Sequence, residues 1–282
     1  MDWRGRRESD NIEDRRGGGF GGSPIRIGGI GVVVVLLLGA FFGVDVSPLL
    51  NGGGDSGYDQ AGAPPTDAKS VENRQFVGVV LAETEDVWGG IFKASGLTYH
   101  NPTLVLFSGV TGSACGTAQS AMGPFYCPND KKVYLDTDFF DVMTQQLGSR
   151  GEFARAYVIA HEVGHHVQDE LGVLDQVNQR RSRLPQAQSN ALSVKVELQA
   201  DCYAGLWAAH AKDRLNLTDA DIRSALDTAA RIGDDALQKA SRGVVVPDSF
   251  THGTSEQRQT WFYRGYQSGD PNQCDTFSAA SL

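Results

Sequence analysis

The sequence predicts a mostly helical α+β domain with a small sheet, preceded by one transmembrane helix. Three observations lead to this prediction. After about residue 67, several segments place apolar residues at helical spacing, as in 153–167. Two short runs, 103–107 and 131–136, are instead typical of β-strands. Near the N-terminus, residues 27–44 are all apolar or glycine.

The composition fits a globular protein and limits its partners. Of 282 residues, 40% are hydrophobic and 21% are charged, which is ordinary for a folded domain with its own core. The formal net charge is −9, which disfavours nucleic acid or anionic lipid as the main partner. No basic patch with interleaved aromatic residues occurs, so we expect no nucleic-acid partner.

The N-terminal part is predicted to hold a tail and an anchor. Residues 1–26 are polar and rich in glycine and arginine, so we expect a disordered cytoplasmic tail. The apolar run, extended to residues 27–48, is long enough at about 1.5 Å per residue for a single-pass membrane anchor. A buried core helix and a cleaved signal peptide are the alternatives. Arginines precede the run and Lys69 is the first basic residue after it, which predicts a cytoplasmic N-terminus and an extracytoplasmic domain.

Residues 49–66 are rich in glycine and proline and are predicted to be a flexible linker. The folded domain is therefore 67–282. Its predicted elements are a helix with apolar residues from Phe76 to Phe92, a strand at 103–107, a strand at 131–136, a helix at 192–210 and a helix that begins at Thr218.

The segment His161-Glu162-Val163-Gly164-His165 has the pattern H-E-x-x-H. Residues i and i+4 share one face of a helix, so His161 and His165 can reach the same metal ion. Glu162 projects about 100° away, where it can contact a metal-bound water without binding the metal. Ser149 with Glu152 is a capping-box pattern for the start of this helix, and Gly172 is a candidate end. The pattern also occurs by chance, but this amphipathic setting favours a zinc site.

Catalytic zinc usually takes three protein ligands. One class of zinc protease has the longer motif H-E-x-x-H-x-x-G-x-x-H, in which the last histidine is the third ligand. This class is excluded, because Gln168 stands in place of the glycine and Leu171 in place of the third histidine. The strongest candidate is Glu197 on a later helix. Asp201, four residues further on, is predicted to accept the other N–H of a ligating histidine. Two acids on a solvated helix face are the alternative.

The segments H-E-V-G-H-H-V-Q and V-E-L-Q-A-D-C-Y-A-G resemble the bacterial family called "putative neutral zinc metallopeptidases". The resemblance covers nearly the whole chain, including G-P-F-Y-C-P-N-D-K-K-V-Y-L-D. The E-x-x-x-D arrangement is also similar to the membrane zinc endopeptidases that process prenylated precursors and to the HtpX type. The resemblance implies a zincin-like metalloprotease domain with these site residues: His161, His165 and Glu197 as ligands, Glu162 as base and Asp201 behind a histidine.

The segment Thr251–Arg258 resembles the late H-P-x-x-x-x-R segment of the HtpX-like proteases, with Gly253 in place of proline. This resemblance implies that His252 donates a hydrogen bond to the oxyanion and that Arg258 positions the loop. A histidine that caps the last helix is the alternative.

The sequence gives weaker signals for the substrate cleft and for the roles of the other histidines. The strand residues Tyr134 to Asp136 are a candidate edge strand for an extended substrate. Tyr126 is a candidate cleft residue, and simple packing is the alternative for both. His166 is expected to point away from the metal face, and His100 and His210 are expected to be structural.

The chain has four cysteines, an even number, and the domain is expected to lie outside the cytoplasm. Both facts favour disulfides. Cys115 and Cys127 close a short glycine-rich loop, which leaves Cys202 for Cys274. Free buried thiols are the alternative, above all for Cys202.

Together these observations predict a membrane-anchored zinc metallopeptidase with Zn²⁺ as cofactor and a protein or peptide as substrate. We expect it to be an endopeptidase. Zinc lowers the pKa of its bound water toward ~7 and polarises the scissile carbonyl. Glu162 takes the proton and returns it to the leaving amine. An amidase acting on cell-wall peptides and a non-catalytic, zinc-stabilised surface protein are the alternatives, and the intact Glu162 argues against the second.

Overall fold

The computed structural model describes residues 1–17, 63–119, 123–145, 147–149, 151–279 and 282. Over these residues the mostly helical α+β prediction with a small sheet is confirmed. The predicted anchor, 27–48, and most of the predicted linker lie outside the described residues. Among the helices of the described part, none has the length and apolar character needed to cross a membrane.

The strands are β1 (Ile12–Asp14), β2 (Thr103–Phe107), β3 (Val110–Ser113), β4 (Gly116–Gln119), β5 (Phe125–Cys127) and β6 (Lys132–Asp136). The helices are α1 (Ala68–Ala94), α2 (Phe139–Gln145), α3 (Glu152–Glu170), α4 (Val173–Arg181), α5 (Gln186–Ala211), α6 (Asp219–Arg231), α7 (Asp234–Arg242) and α8 (Ser255–Ser268). Two 3₁₀ turns lie at Pro247–Ser249 and Pro271–Cys274.

Four strands form one sheet in the order β1-β2-β6-β5, in which β1, β2 and β6 are parallel and β5 is antiparallel to β6. Strands β3 and β4 form a separate hairpin. The prediction that Tyr134 to Asp136 form an edge strand is wrong. These residues lie in β6, which stands between β2 and β5 in the sheet, and all three are buried. Tyr134 pairs with both neighbouring strands, whereas Leu135 and Asp136 pair with β2. Strand β6 is therefore an interior strand of this sheet.

The helix that carries the H-E-x-x-H motif, α3, packs against α5, and α5 packs against α8. Glycines permit this close packing. A Cβ added at Gly205 of α5 would overlap the backbone of Phe262, and one at Gly265 of α8 would overlap that of Cys202. Between α3 and α5, a Cβ at Gly164 would lie 3.0 Å from the carbonyl oxygen of Ala200. The backbone of α5 is therefore held close to both neighbours.

The start of α3 differs from the prediction. Its N-cap is Gly151, which makes no side-chain capping bond, so the capping box of Ser149 with Glu152 is wrong. The Ser149 hydroxyl lies instead 2.5 Å from that of Thr228 on α6. At the other end Gly172 adopts the left-handed conformation, with φ of 73°, directly after the cap residue Leu171. The predicted end is confirmed.

The prediction of a disordered tail is wrong for residues 1–17. Trp3 is buried in the main core, and β1 joins the sheet beside β2. The sequence of this segment is polar. Its few apolar side chains pack into a core that later residues form, and its backbone pairs with β2. Residues 18–26 of the predicted tail lie outside the described residues.

Both predicted disulfides are confirmed. Cys115 is bonded to Cys127, which closes the β3–β4 region onto β5. Cys202 is bonded to Cys274, which joins α5 to the segment after α8.

Candidate metal centre

Two histidines of α3 and one glutamate of α5 converge at the contact between these helices. The Nε2 atom of His161 lies 3.2 Å from Glu197 Oε2, and that of His165 lies 3.5 Å from Glu197 Oε1. One ligand atom from each of the three residues lies within 4.8 Å of the others. Two turns of helix thus present two imidazole nitrogens to a carboxylate, as the H-E-x-x-H spacing requires.

The far nitrogen of each imidazole is held by a buried acceptor. His161 Nδ1 lies 2.9 Å from Asp201 Oδ1, and His165 Nδ1 lies 2.9 Å from Gln168 Oε1. An acceptor at Nδ1 keeps a proton on that nitrogen, so the neutral imidazole carries its lone pair on Nε2, the nitrogen that faces Glu197. Both rings are therefore oriented so that each binds a metal through Nε2 once that nitrogen has lost its proton.

Asp201 is the centre of a buried polar cluster. Its carboxylate accepts from Arg258 Nε at 2.8 Å and from the hydroxyl of Tyr157 at 2.5 Å, in addition to His161. Burial alone raises the pKa of a carboxyl, but the charges of Arg258 and His161 outweigh it and lower the pKa of Asp201 to about 2. Asp201 is thus an anion with fixed geometry. Arg258 contacts Asp201 directly, whereas the resemblance implied a role in the loop around His252.

Gln168 is held as firmly as Asp201. Its amide Nε2 donates to the carbonyl oxygen of Val196 at 2.8 Å and to Gln199 Oε1 at 3.0 Å. These bonds determine which end of the side chain is the oxygen, and so which end accepts from His165. Gln168 is completely buried.

Glu162, between the two histidines, is buried at the same place. Burial raises the pKa of its carboxyl, and the neighbouring histidines oppose this only in part. The pKa of Glu197 is shifted the other way. There the burial is outweighed by the charges of His252 and His165, which hold the pKa well below its usual range. The two glutamates of the site are thus shifted in opposite directions: the environment favours the neutral form of Glu162 and the anion of Glu197.

His252 lies on the loop between the 3₁₀ turn and α8, and a single acid of α7 holds this loop. Asp234 Oδ2 accepts from the backbone N–H groups of Thr251, His252 and Gly253, at 2.8, 2.6 and 3.0 Å. Asp234 Oδ1 lies 3.4 Å from His252 Nδ1. A Cβ at Gly253 would lie 3.2 Å from side-chain atoms of Leu198, so the loop is packed onto α5 beside Glu197. The structure therefore places the loop that carries His252 against α5, the helix of Glu197.

The donor set fits a catalytic zinc ion. Two imidazole nitrogens and one carboxylate oxygen are the ligands of one common class of zinc hydrolase, and zinc there keeps a position for water. The residues around His161, His165 and Glu197 meet the further requirement that each histidine has an acceptor at its other nitrogen.

Sequence reasoning missed three residues of this arrangement. Tyr157 lies one helical turn before His161, and Gln168 lies three residues after His165, so helical spacing was a usable signal for both. Asp234 had no such signal, because it reaches the site through a loop that follows it by about 17 residues.

The other candidates lie away from the metal ligands. His166 is buried, with its Nε2 2.6 Å from the carbonyl oxygen of His100 and its Nδ1 3.1 Å from Tyr126 OH. Tyr126 donates to Asp169 at 2.8 Å, which favours the packing interpretation over a cleft residue. His210 bonds the carbonyl oxygen of Gly269 at the end of α8, a structural role.

Comparisons with known proteins identify the family of this chain. A family model described as "Putative neutral zinc metallopeptidase" matches residues 1–277. "Uncharacterized protein YpfJ" of Escherichia coli (strain K12) is 49% identical over 285 residues, which cover 98% of this chain and 99% of that protein. "Uncharacterized protein Rv2575" of Mycobacterium tuberculosis (strain H37Rv) is 48% identical over 220 residues, or 74% of this chain and 73% of that protein. No solved structure matches the chain.

Proposed function

Since this chain belongs to the family described as "Putative neutral zinc metallopeptidase", we propose that it is a zinc-dependent enzyme that hydrolyses peptide bonds. The observation that carries the proposal is the convergence of His161, His165 and Glu197, with both imidazoles held at Nδ1. A site with three protein ligands and an adjacent acid is typical of catalytic zinc, whereas structural zinc usually has four protein ligands.

The roles of the residues follow from their positions. His161, His165 and Glu197 hold the metal, and Asp201 and Gln168 keep the imidazoles aligned. Zinc, when bound, polarises the scissile carbonyl and makes the attacking water more acidic. Glu162 takes the proton of that water and returns it to the leaving amine. Its raised pKa suits both steps, because a group with a pKa nearer neutrality can accept and then release a proton.

We assign His252 the role of stabilising the oxyanion that forms during hydrolysis. In this proposal its imidazole donates a hydrogen bond to the oxygen that becomes negative as water attacks the carbonyl. The support is its place beside Glu197 and its attachment through Asp234, which restricts the loop before substrate binds. Preorganised donors of this kind cost no rearrangement during the reaction.

We place the folded domain outside the cytoplasm, at a membrane that residues 27–48 enter. The two disulfides support an oxidising compartment, and the apolar composition of residues 27–44 supports membrane association.

The test uses the purified full-length protein and its Glu162→Gln variant. Zinc content and hydrolysis of casein and of a peptide library are measured for both. We expect about one zinc per chain in each, and a loss of at least about 100-fold in kcat for the variant, because only the proton acceptor is removed. Native protein with full zinc and no hydrolysis of any peptide would contradict the proposal, and so would a variant with unchanged kcat.

A further inference from the structure

The N-terminal segment, defined here as residues 1–17, is built into the folded domain. Trp3 is only 3% exposed and packs edge to face on Phe76 of α1, with ring centroids 5.3 Å apart. Strand β1 extends the sheet beside β2, where the Leu104 N–H donates to the carbonyl oxygen of Asn11 and the Arg15 N–H donates to that of Leu106. Both side-chain burial and backbone pairing therefore join the segment to residues more than 50 positions later in the sequence.

Helix α1 is shaped to receive this segment. Gly78 leaves room for Glu8, because an added Cβ would lie 3.1 Å from the Glu8 Cβ, and the Gly78 carbonyl oxygen accepts from the Ser9 N–H at 2.9 Å. A glycine inside a helix costs about 1 kcal/mol relative to alanine. The close approach of the segment gives a physical reason for glycine at this position.

Buried charges of the domain also depend on the segment. Glu85 of α1 is 7% exposed, and its Oε1 accepts from the Ser9 hydroxyl and from Asn11 Nδ2. Arg16 is also buried and donates to the carbonyl oxygen of Ser70 at 2.9 Å. Without the segment, Glu85 would lose both of these donors. The surface that α1 and β2 present is thus complementary in shape and in polarity to residues 1–17.

This packing constrains membrane topology. The hydrocarbon core of a bilayer is about 30 Å thick, so a strand hydrogen-bonded to β2 lies on the same side as β2. The sequence-based topology, with a cytoplasmic N-terminus and an extracytoplasmic domain, is incompatible with a sheet that contains both β1 and β2. We infer that residues 1–17 are part of the folded domain and that both ends of segment 18–62 lie on the same side of any membrane that this segment enters.

The inference rests on contacts of residues 1–17 and not on peptidase activity, so it is tested separately. Asp10, in the segment, and Asp227, on α6, are both exposed. Each is replaced singly by cysteine in the full-length protein, whose four native cysteines are paired in disulfides. Membrane-impermeant maleimide is added to intact spheroplasts and, in parallel, to permeabilised ones.

We expect Asp10→Cys and Asp227→Cys to become labelled under the same condition. Labelling of both before permeabilisation supports the inference together with the extracytoplasmic location. Labelling of both only after permeabilisation supports the inference and contradicts that location alone. Labelling of one before and the other only after permeabilisation overturns the inference.

A second measurement tests whether the segment contributes to the fold. Trp3→Ala in the full-length protein is expected to lower Tm by about 10 °C, because a buried indole is removed from the core. Asp10→Ala, at an exposed position of the same segment, is the matched control and should leave Tm unchanged. An unchanged Tm for Trp3→Ala would overturn the claim that the segment is part of the domain.

Discussion

At the scale of single residues, Asp201 connects the metal ligands to the rest of the core. One carboxylate accepts from His161, Tyr157 and Arg258, which come from two other helices. A buried carboxylate is costly unless it is paired and hydrogen-bonded. Arg258 supplies the charge and Tyr157 a further donor, so the anion that orients His161 is stable without solvent.

This arrangement predicts how zinc binding depends on pH. In the metal-free protein the burial of His161 opposes protonation, but the charge of Asp201 outweighs it and raises the pKa to about 10. The pKa of His165 is raised by Glu197 in the same way, against its burial. Because only the neutral imidazole binds a metal, zinc must displace protons from these residues.

Zinc affinity is therefore expected to fall as the pH falls, by about tenfold per pH unit for each proton displaced. Competition with a chelator of known affinity, between about pH 6 and about pH 8, measures the slope. The apparent Kd corrected for the chelator's own protonation is the quantity to compare. A Kd that does not change with pH would show that the histidines are neutral before the metal binds.

Asp234 gives a second prediction at this scale. Asp234→Ala removes the acceptor of three backbone N–H groups and the partner of His252. We expect kcat to fall about 10- to 100-fold with the zinc content unchanged, because the oxyanion donor loses its fixed position while the ligands keep theirs.

The matched control for this prediction is the adjacent Asp235→Ala. Asp235 accepts from the backbone N–H and the hydroxyl of Ser255 at the start of α8, whereas the backbone N–H of His252 donates to Asp234. Its effect should appear in stability and not in kcat. Equal losses of kcat in the two variants would indicate that α7 matters only for folding.

At the scale of secondary-structure elements, the site depends on how closely α5 approaches α3 and α8. Glu197 and Asp201 lie one turn apart on α5, and Ala200 between them contacts Gly164 of α3. On the other side, Gly205 places α5 against α8, which carries Arg258. The small residues are therefore as necessary for the geometry as the ligands.

Gly205→Ala is expected to destabilise the protein by about 3 kcal/mol or more, because the added methyl meets the backbone of Phe262 and no side chain can move aside. Gly90→Ala, in α1 with open space around it, is the control. It should raise the free energy of unfolding by about 1 kcal/mol through helix propensity. Thermal unfolding of both variants measures these changes in stability. A Gly205→Ala variant as stable as the native protein would mean that α5 and α8 can move apart to admit the methyl group.

Local patterns in the sequence predicted six elements, α1, α3, α5, α6, β2 and β6, because the spacing of their own residues indicates them. The sequence analysis did not predict the hairpin β3–β4 or the helices α2, α4 and α7. The ligands His161 and His165 were predictable for the same reason. Two of the failures involve contacts between distant segments. Whether the strand of Tyr134 is central depends on β5 and β2, and the order of residues 1–17 depends on a core formed by later residues.

At the scale of the whole molecule, the C-terminal segment is coupled to the metal site. Gln199 Nε2 donates to the carbonyl oxygen of Cys274 at 3.0 Å, and Gln199 Oε1 accepts from Gln168, which in turn accepts from His165. The Cys202–Cys274 disulfide fixes this carbonyl, and Cys202 directly follows Asp201. One covalent bond therefore supports the acceptors of both ligating histidines.

Loss of this disulfide is expected to weaken zinc binding. In the double variant Cys202→Ala with Cys274→Ala, we expect zinc affinity to fall about 10- to 100-fold, the usual effect of disturbing the partners of metal ligands. The double variant Cys115→Ala with Cys127→Ala removes the other disulfide, which joins the β3–β4 turn to β5 and involves neither Asp201 nor Gln168, and it should keep native affinity. Competition with a chelator at one fixed pH measures the zinc affinity of each double variant. Equal affinities would mean that α5 alone holds Gln199 and Asp201 in place, and that the C-terminal segment contributes only to the stability of the fold.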